Sequence, residues 1–103
     1  MNMDLQKIEG LLGMAQRAGK IVSGELAARK AIASGQAAAA IVAGDASERT
    51  KETLRQEAGA KQIPVYDLFT KEMLGRCLGK EYRAVAALLD KGFAKTLAEK
   101  VRG

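Results

Sequence analysis

The stretch GKIVSGELAARKAIASG, Gly19–Gly35, decides how the rest of the chain is read. Gly19 and Lys20 lead into a short apolar pair, Ile21-Val22, and Ser23-Gly24 then interrupts the extended pattern. A helical pattern follows, with Ala28, Ala31 and Ile32 at three- and four-residue spacing and Gly35 as its stop. Ser23 is expected to cap the first free backbone N–H groups, and Glu25 puts a negative charge where the helix dipole favours it. Leu26 and Lys30 lie four residues apart and share a face that Arg29 borders. The stretch therefore predicts strand Lys20–Ser23, a tight turn, and helix Glu25–Ser34. A helix N-terminus with cations beside it attracts anions, phosphate included, although most strand–helix junctions bind nothing.

Working outward, Asp4–Ala18 carries a helical pattern of Leu5, Ile8, Leu11 or Leu12, and Ala15, which Gly10 and Gly13 weaken unless something packs closely on them. On the other side, Ala37–Ala43 is an apolar run of alanines ending in Ile41-Val42. Alanine favours helix, but the run is short and lies between Gly35 and Gly44, so a buried strand is expected. Ser47 is placed to cap a mixed-charge helix, Glu48–Glu57, with Gly59 as its end. Ile63–Tyr66 is a short strand whose Pro64 argues for an edge or a strand start. Thr70 caps a helix over Lys71–Leu78, which Gly79 stops. Arg83–Leu89 is apolar almost throughout and reads as a strand covered on both faces. Lys91-Gly92 then turns into a last amphipathic helix, Phe93–Val101. Strands and helices alternate four times, which predicts one α/β domain, residues 1–103, with helices on both sides of a small sheet.

The chain has 103 residues, so it can bury roughly two-thirds of its unfolded surface without disulfides or metals. Its single cysteine, Cys77, lies beside Leu74 and Leu78 and reads as a buried, inert thiol in a reducing, cytoplasmic setting. The longest apolar run, Ala37–Ala43, is far too short to span a membrane, and Asp4, Lys7 and Glu9 interrupt any leader-like start. No membrane partner is expected.

Net charge is +5, and it is unevenly spread. Residues 1–35 hold five basic and three acidic side chains, residues 36–68 four and five, and residues 69–103 eight and four. A fold that joins the two ends makes a basic surface suited to a polyanion, and a solubilised surface without a partner is the plainer alternative.

Catalytic chemistry is not visible. There is no histidine, one cysteine cannot build a zinc site, and no phosphate-cradling or dinucleotide fingerprint occurs. Asp45 and Asp90 follow strands, where α/β active sites lie, but read better as turn or cap residues. Neither an enzyme nor a cofactor is expected.

Four blocks in order, LLGMAQRAGKIVSGE (Leu11–Glu25), AIVAGDAS (Ala40–Ser47), LGRCLGKEYR (Leu74–Arg83) and LLDKGFA (Leu88–Ala94), resemble the bacterial YlxQ group of the ribosomal protein L-seven-Ae / L-thirty-e family. That resemblance implies a three-layer α-β-α sandwich around a four-stranded mixed sheet and a role in binding kink-turn RNA. It implies three RNA-facing regions. The first is the start of helix 2, where Gly24 and Lys30 match the family pattern and Leu26 and Ala27 stand where relatives carry polar side chains that read sheared guanine–adenine pairs. The second is Gly44-Asp45-Ala46-Ser47. The third is Gly79-Lys80-Glu81-Tyr82-Arg83, where Tyr82 could stack on a base or sit half-buried at a strand start.

The expectation is therefore a small cytoplasmic, monomeric protein that binds structured RNA, ribosomal RNA and the ribosome among its candidate partners. Lys20, Arg29, Lys30, Lys80 and Arg83 are expected to contact phosphate. Gly24, Glu25, Leu26, Ala27, Asp45, Glu81 and Tyr82 complete the site, and first and third regions should form one basic face. A protein-interaction adapter using exposed Leu26 is the alternative.

Overall fold

The computed structural model describes residues 4–102. Its elements are α1 (Leu5–Arg17), β1 (Ile21–Ser23), α2 (Glu25–Ala33), β2 (Ala39–Val42), α3 (Glu48–Ala60), β3 (Val65–Asp67), α4 (Lys71–Cys77), β4 (Val85–Leu88) and α5 (Lys91–Arg102). The sheet runs β1-β4-β2-β3. β4 is antiparallel to both of its neighbours, while β2 and β3 are parallel, so the sheet is mixed as anticipated.

Alternation along the strands divides the core in two. Ile21, Ala39, Ile41, Ala86 and Leu88 meet α1, α4 and α5 through Leu12, Leu74 and Leu97. Ala40, Val42, Val85 and Ala87 meet α2 and α3 through Ile32, Leu54 and Ala58. The central strands β2 and β4 are buried at every position, which is why both read as unbroken apolar runs. The result is the three-layer sandwich, with three helices on one face and two on the other.

Several boundaries differ from the sequence reading. The apolar run at 37–43 contributes only Ala39–Val42 as strand. α3 passes through Gly59 and ends at Ala60 with Lys61 as its C-cap, after which Gln62 takes a left-handed φ of 59°. Strand β3 begins after Pro64, at the sheet edge, as an edge proline requires. Helix α5 starts at Lys91 rather than Phe93, because the Asp90 carboxylate accepts from the Phe93 N–H at 2.9 Å and caps it. No helix among the described residues is long and apolar enough to cross a membrane.

Candidate nucleic-acid interface

Sheet direction brings the three anticipated regions to one end. The C-terminal ends of β1, β2 and β3 and the N-terminal end of β4 all point the same way, since Ser23 pairs with Ala86 and Val42 pairs with both Val85 and Asp67. The β1–α2 turn, the β2–α3 loop and the α4–β4 loop therefore open from one rim, where ligand sites of α/β sheets usually lie.

At the first region, Gly24 is the N-cap of α2 with φ 96° and ψ 149°, a conformation that glycine adopts without strain. Its N–H donates to the Val85 carbonyl at 3.0 Å, and a Cβ placed on it would meet nothing within 4 Å. The turn is fixed from inside and open outside. Ser23 does not cap α2 as expected, because no side chain caps that helix. Its hydroxyl instead accepts from Arg83 Nε at 3.0 Å. The first turn of α2 thus presents Glu25, Leu26 and Ala27, all exposed, and Leu26 is 83% exposed.

The third region folds back over α4. The Lys80 N–H donates to the Gly75 carbonyl at 2.8 Å, and the Arg83 N–H donates to the Lys71 carbonyl at 3.0 Å. Lys80 and Glu81 are exposed, and Tyr82 is 59% exposed, so its ring is not half-buried at a strand start. Arg83 is half-buried, with one terminal guanidinium nitrogen donating to the Tyr82 carbonyl at 2.8 Å.

The second region is tied to the same helix. Asp45 Oδ1 accepts from the Lys71 N–H at 2.8 Å, which holds the β2–α3 loop against the start of α4. Gly44 donates to the Phe69 carbonyl at 2.7 Å, and Ser47 caps α3 by accepting from Thr50 N–H at 3.1 Å. Asp45, like Asp90, is a capping carboxylate. Lys71 thereby links two of the three regions, its N–H serving one and its carbonyl the other. Neither it nor Gly75 was singled out in the sequence. The one local hint was a glycine inside a helical pattern.

The five candidate cations are not equivalent. Lys30 and Lys80 are exposed and form no ion pair among the described residues. Arg29 is held by a two-pronged pair to Glu57 of α3, at 2.9 and 2.7 Å, so its fork faces another helix. That hydrogen-bonded pair raises the Arg29 pKa and lowers that of Glu57. Lys20 lies at the opposite end of the sheet, with its carbonyl accepting from the Leu89 N–H at 2.8 Å. Three residues of extended chain, Ile21–Ser23, separate it from Gly24, four steps or roughly 13 Å at strand rise. Structure therefore removes Lys20 from the cluster and gives Arg29 and Arg83 partners inside the protein. Cys77 is half-buried rather than buried, and burial, with a smaller contribution from the Glu9 charge, pushes its thiol pKa up. Among the described residues no group of three His, Cys, Asp or Glu could hold a metal ion.

Comparison with known proteins places this geometry. The family described as ribosomal protein L7Ae/L30e/S12e/Gadd45 matches residues 6–98. The chain is 36% identical over 98 residues to the RNA-binding protein YlxQ of Enterococcus faecium, covering 95% of this chain and 94% of that protein. It is 38% identical over 87 residues to the RNA-binding protein YlxQ of Bacillus subtilis, covering 84% and 87%. Among solved structures, a protein of unknown function from Bacillus halodurans superposes with a TM-score of 0.89 at 38% identity, covering 92% of this chain and 96% of that one. A 15.5kD RNA binding protein of Giardia lamblia shares the fold with a TM-score of 0.79 at 23% identity, covering 94% and 83%.

Proposed function

Because the chain belongs to the ribosomal protein L7Ae/L30e/S12e/Gadd45 family, we propose that it is a small RNA-binding protein that docks structured RNA on the loop-bearing end of its sheet. The observation that carries this reading is the open Gly24 turn beside the α4–β4 loop, joined through Ser23 and Arg83. RNA backbone can approach the uncapped first turn of α2, whose N–H groups and dipole favour phosphate. Lys30 and Lys80 supply phosphate contacts, and Tyr82 offers a stacking surface. Asp45 serves by positioning the second loop. The protein acts as a monomer in the cytoplasm and performs no catalysis, and ribosomal RNA is among its candidate partners.

Leu26 and Ala27 shape the specificity. Neither side chain can donate to or accept from a base edge, so this helix end holds RNA without reading it. Little preference for a kink-turn over a bulged duplex of equal length follows. The test is a competition gel shift of the protein and a Leu26→Asn/Ala27→Glu variant, using a kink-turn RNA and the same RNA with its guanine–adenine pairs replaced. The variant should gain discrimination of about 1–3 kcal/mol, the scale of a base-edge contact. Tenfold or better discrimination by the unaltered protein overturns the loss of specificity. Affinity should fall as salt rises, because phosphate neutralisation releases counterions. Salt-independent binding points instead to a protein adapter using Leu26.

A further inference from the structure

Two residues behind the proposed interface, Gly75 and Arg83, hold its loops through contacts within the protein. Gly75 is buried within α4, and a Cβ built on it would lie 2.8 Å from the carbonyl carbon and oxygen of Glu81 and 2.9 Å from the nitrogen of Tyr82. All three are backbone atoms, so no change of rotamer can relieve the clash. Gly75 lies one turn beyond Lys71, and the carbonyls of both accept from the loop, at 2.8 Å from Lys80 N–H and 3.0 Å from Arg83 N–H. The loop lies along this stripe of α4 because the stripe has no side chain at position 75. Arg83 then crosses to the other side of the seam. Its Nε donates to Ser23 Oγ at 3.0 Å, one residue before the Gly24 turn, while another nitrogen is held by the Tyr82 carbonyl.

We infer that Gly75 and Arg83 are positioning residues: they set the α4–β4 loop in register with the N-terminus of α2 and act on RNA only through that placement. The inference rests on the RNA-binding reading above. It reverses the sequence expectation for Arg83, which a basic residue in an exposed loop marks as a phosphate contact.

The two roles predict opposite results for Ser23→Ala, which changes no charge. If Arg83 positions the loop through Ser23, RNA affinity falls by about tenfold, the scale of one lost hydrogen bond. If Arg83 contacts phosphate directly, freeing its side chain leaves affinity unchanged or raises it. Titration of a labelled kink-turn hairpin and a bulged-duplex control at several salt concentrations reads both affinity and the slope of its salt dependence. The expected pattern is weaker binding by Ser23→Ala and Arg83→Met at unchanged slope, with the double variant no weaker than Arg83→Met alone. Lys80→Gln, by contrast, should reduce the slope by about 0.7–0.9, as loss of one phosphate contact does. Gly75→Ala should bind at least as poorly as Ser23→Ala while retaining its helical circular dichroism. Should Gly75→Ala fail to fold, Ser23→Ala and Arg83→Met decide the question. Full affinity in Ser23→Ala together with a reduced slope in Arg83→Met overturns the inference, as does full affinity in a folded Gly75→Ala. Those results leave RNA binding intact and so differ from failure of the unaltered protein to bind either RNA, which sinks the functional reading first.

Discussion

Gly24 and Gly75 stand on the two sides of one seam, and each is a glycine for the opposite reason. Gly24 has φ 96° and empty space where a side chain would go, so its requirement is conformational. Gly75 lies in helical backbone and has three loop atoms under 3.0 Å from its absent Cβ, so its requirement is steric. The first leaves the outer surface of the turn clear, and the second lets the 79–83 loop close upon α4. The proposed RNA interface would draw on both, an open turn on one side and a loop held still on the other.

The largest effect expected is at Gly75. Alanine there forces the 79–83 loop off α4, and overpacking of this kind costs about 3 kcal/mol, against which helix propensity returns only about 1. Chemical denaturation should show a net loss near 2 kcal/mol. A neutral result would mean that the loop yields freely, and the steric half of the comparison would be lost.

Gly24→Ala should cost about 1.5 kcal/mol, within the range for a side chain forced into a glycine-only region. Asparagine should not rescue it, because ψ 149° lies far from the left-handed helical well where asparagine is tolerated. If Gly24→Asn is as stable as the unaltered protein, the turn has another conformation available, and its openness ceases to be built into the backbone.

Gly10 sharpens the contrast, since it too lies inside a helix but has nothing within 4 Å of its Cβ position. Alanine there should stabilise by about 0.8 kcal/mol through helix propensity alone. Opposite signs at Gly10 and Gly75 are the signature of crowding rather than of helix propensity, and the same denaturation experiment reads both.

What the sequence made legible was local. Ser47 and Thr70 cap α3 and α4 as their positions foretold, accepting from Thr50 N–H at 3.1 Å and Met73 N–H at 3.2 Å, because a cap and its partner lie three residues apart. The Gly24 turn was visible because it breaks an extended run. Ser23 departs from its expected cap role through a contact distant in sequence. It has the chemistry of a cap and the position of one, but a guanidinium from residue 83 reaches its hydroxyl first. Arg29 finds Glu57 on a neighbouring helix, and Gly75 meets Glu81 and Tyr82 only after the loop has folded back. Each of these depends on contacts across elements, which no periodicity records.

The smallest effect expected concerns that Arg29–Glu57 pair, which bounds the interface without belonging to the seam. Both side chains are partly exposed, so the pair contributes little, and less as salt rises. Its pH dependence has a definite sign. Hydrogen bonding from Arg29 lowers the folded-state pKa of Glu57 below its ordinary value. Such a carboxylate stabilises the fold above its unfolded pKa, and that contribution fades as pH falls through the folded pKa. Glu57→Gln should therefore be slightly less stable than the unaltered protein at neutral pH, by less than the change at Gly10, and the difference should close in acid. A difference that persists unchanged well below the carboxylate range would mean that Glu57 acts by packing instead. The same pair predicts a difference between two adjacent cations. Arg29→Gln should lose less RNA affinity than Lys30→Gln, because the Arg29 fork is already engaged while Lys30 is not. Equal losses from the two variants, read by the same titration, would show that Arg29 leaves Glu57 when RNA binds.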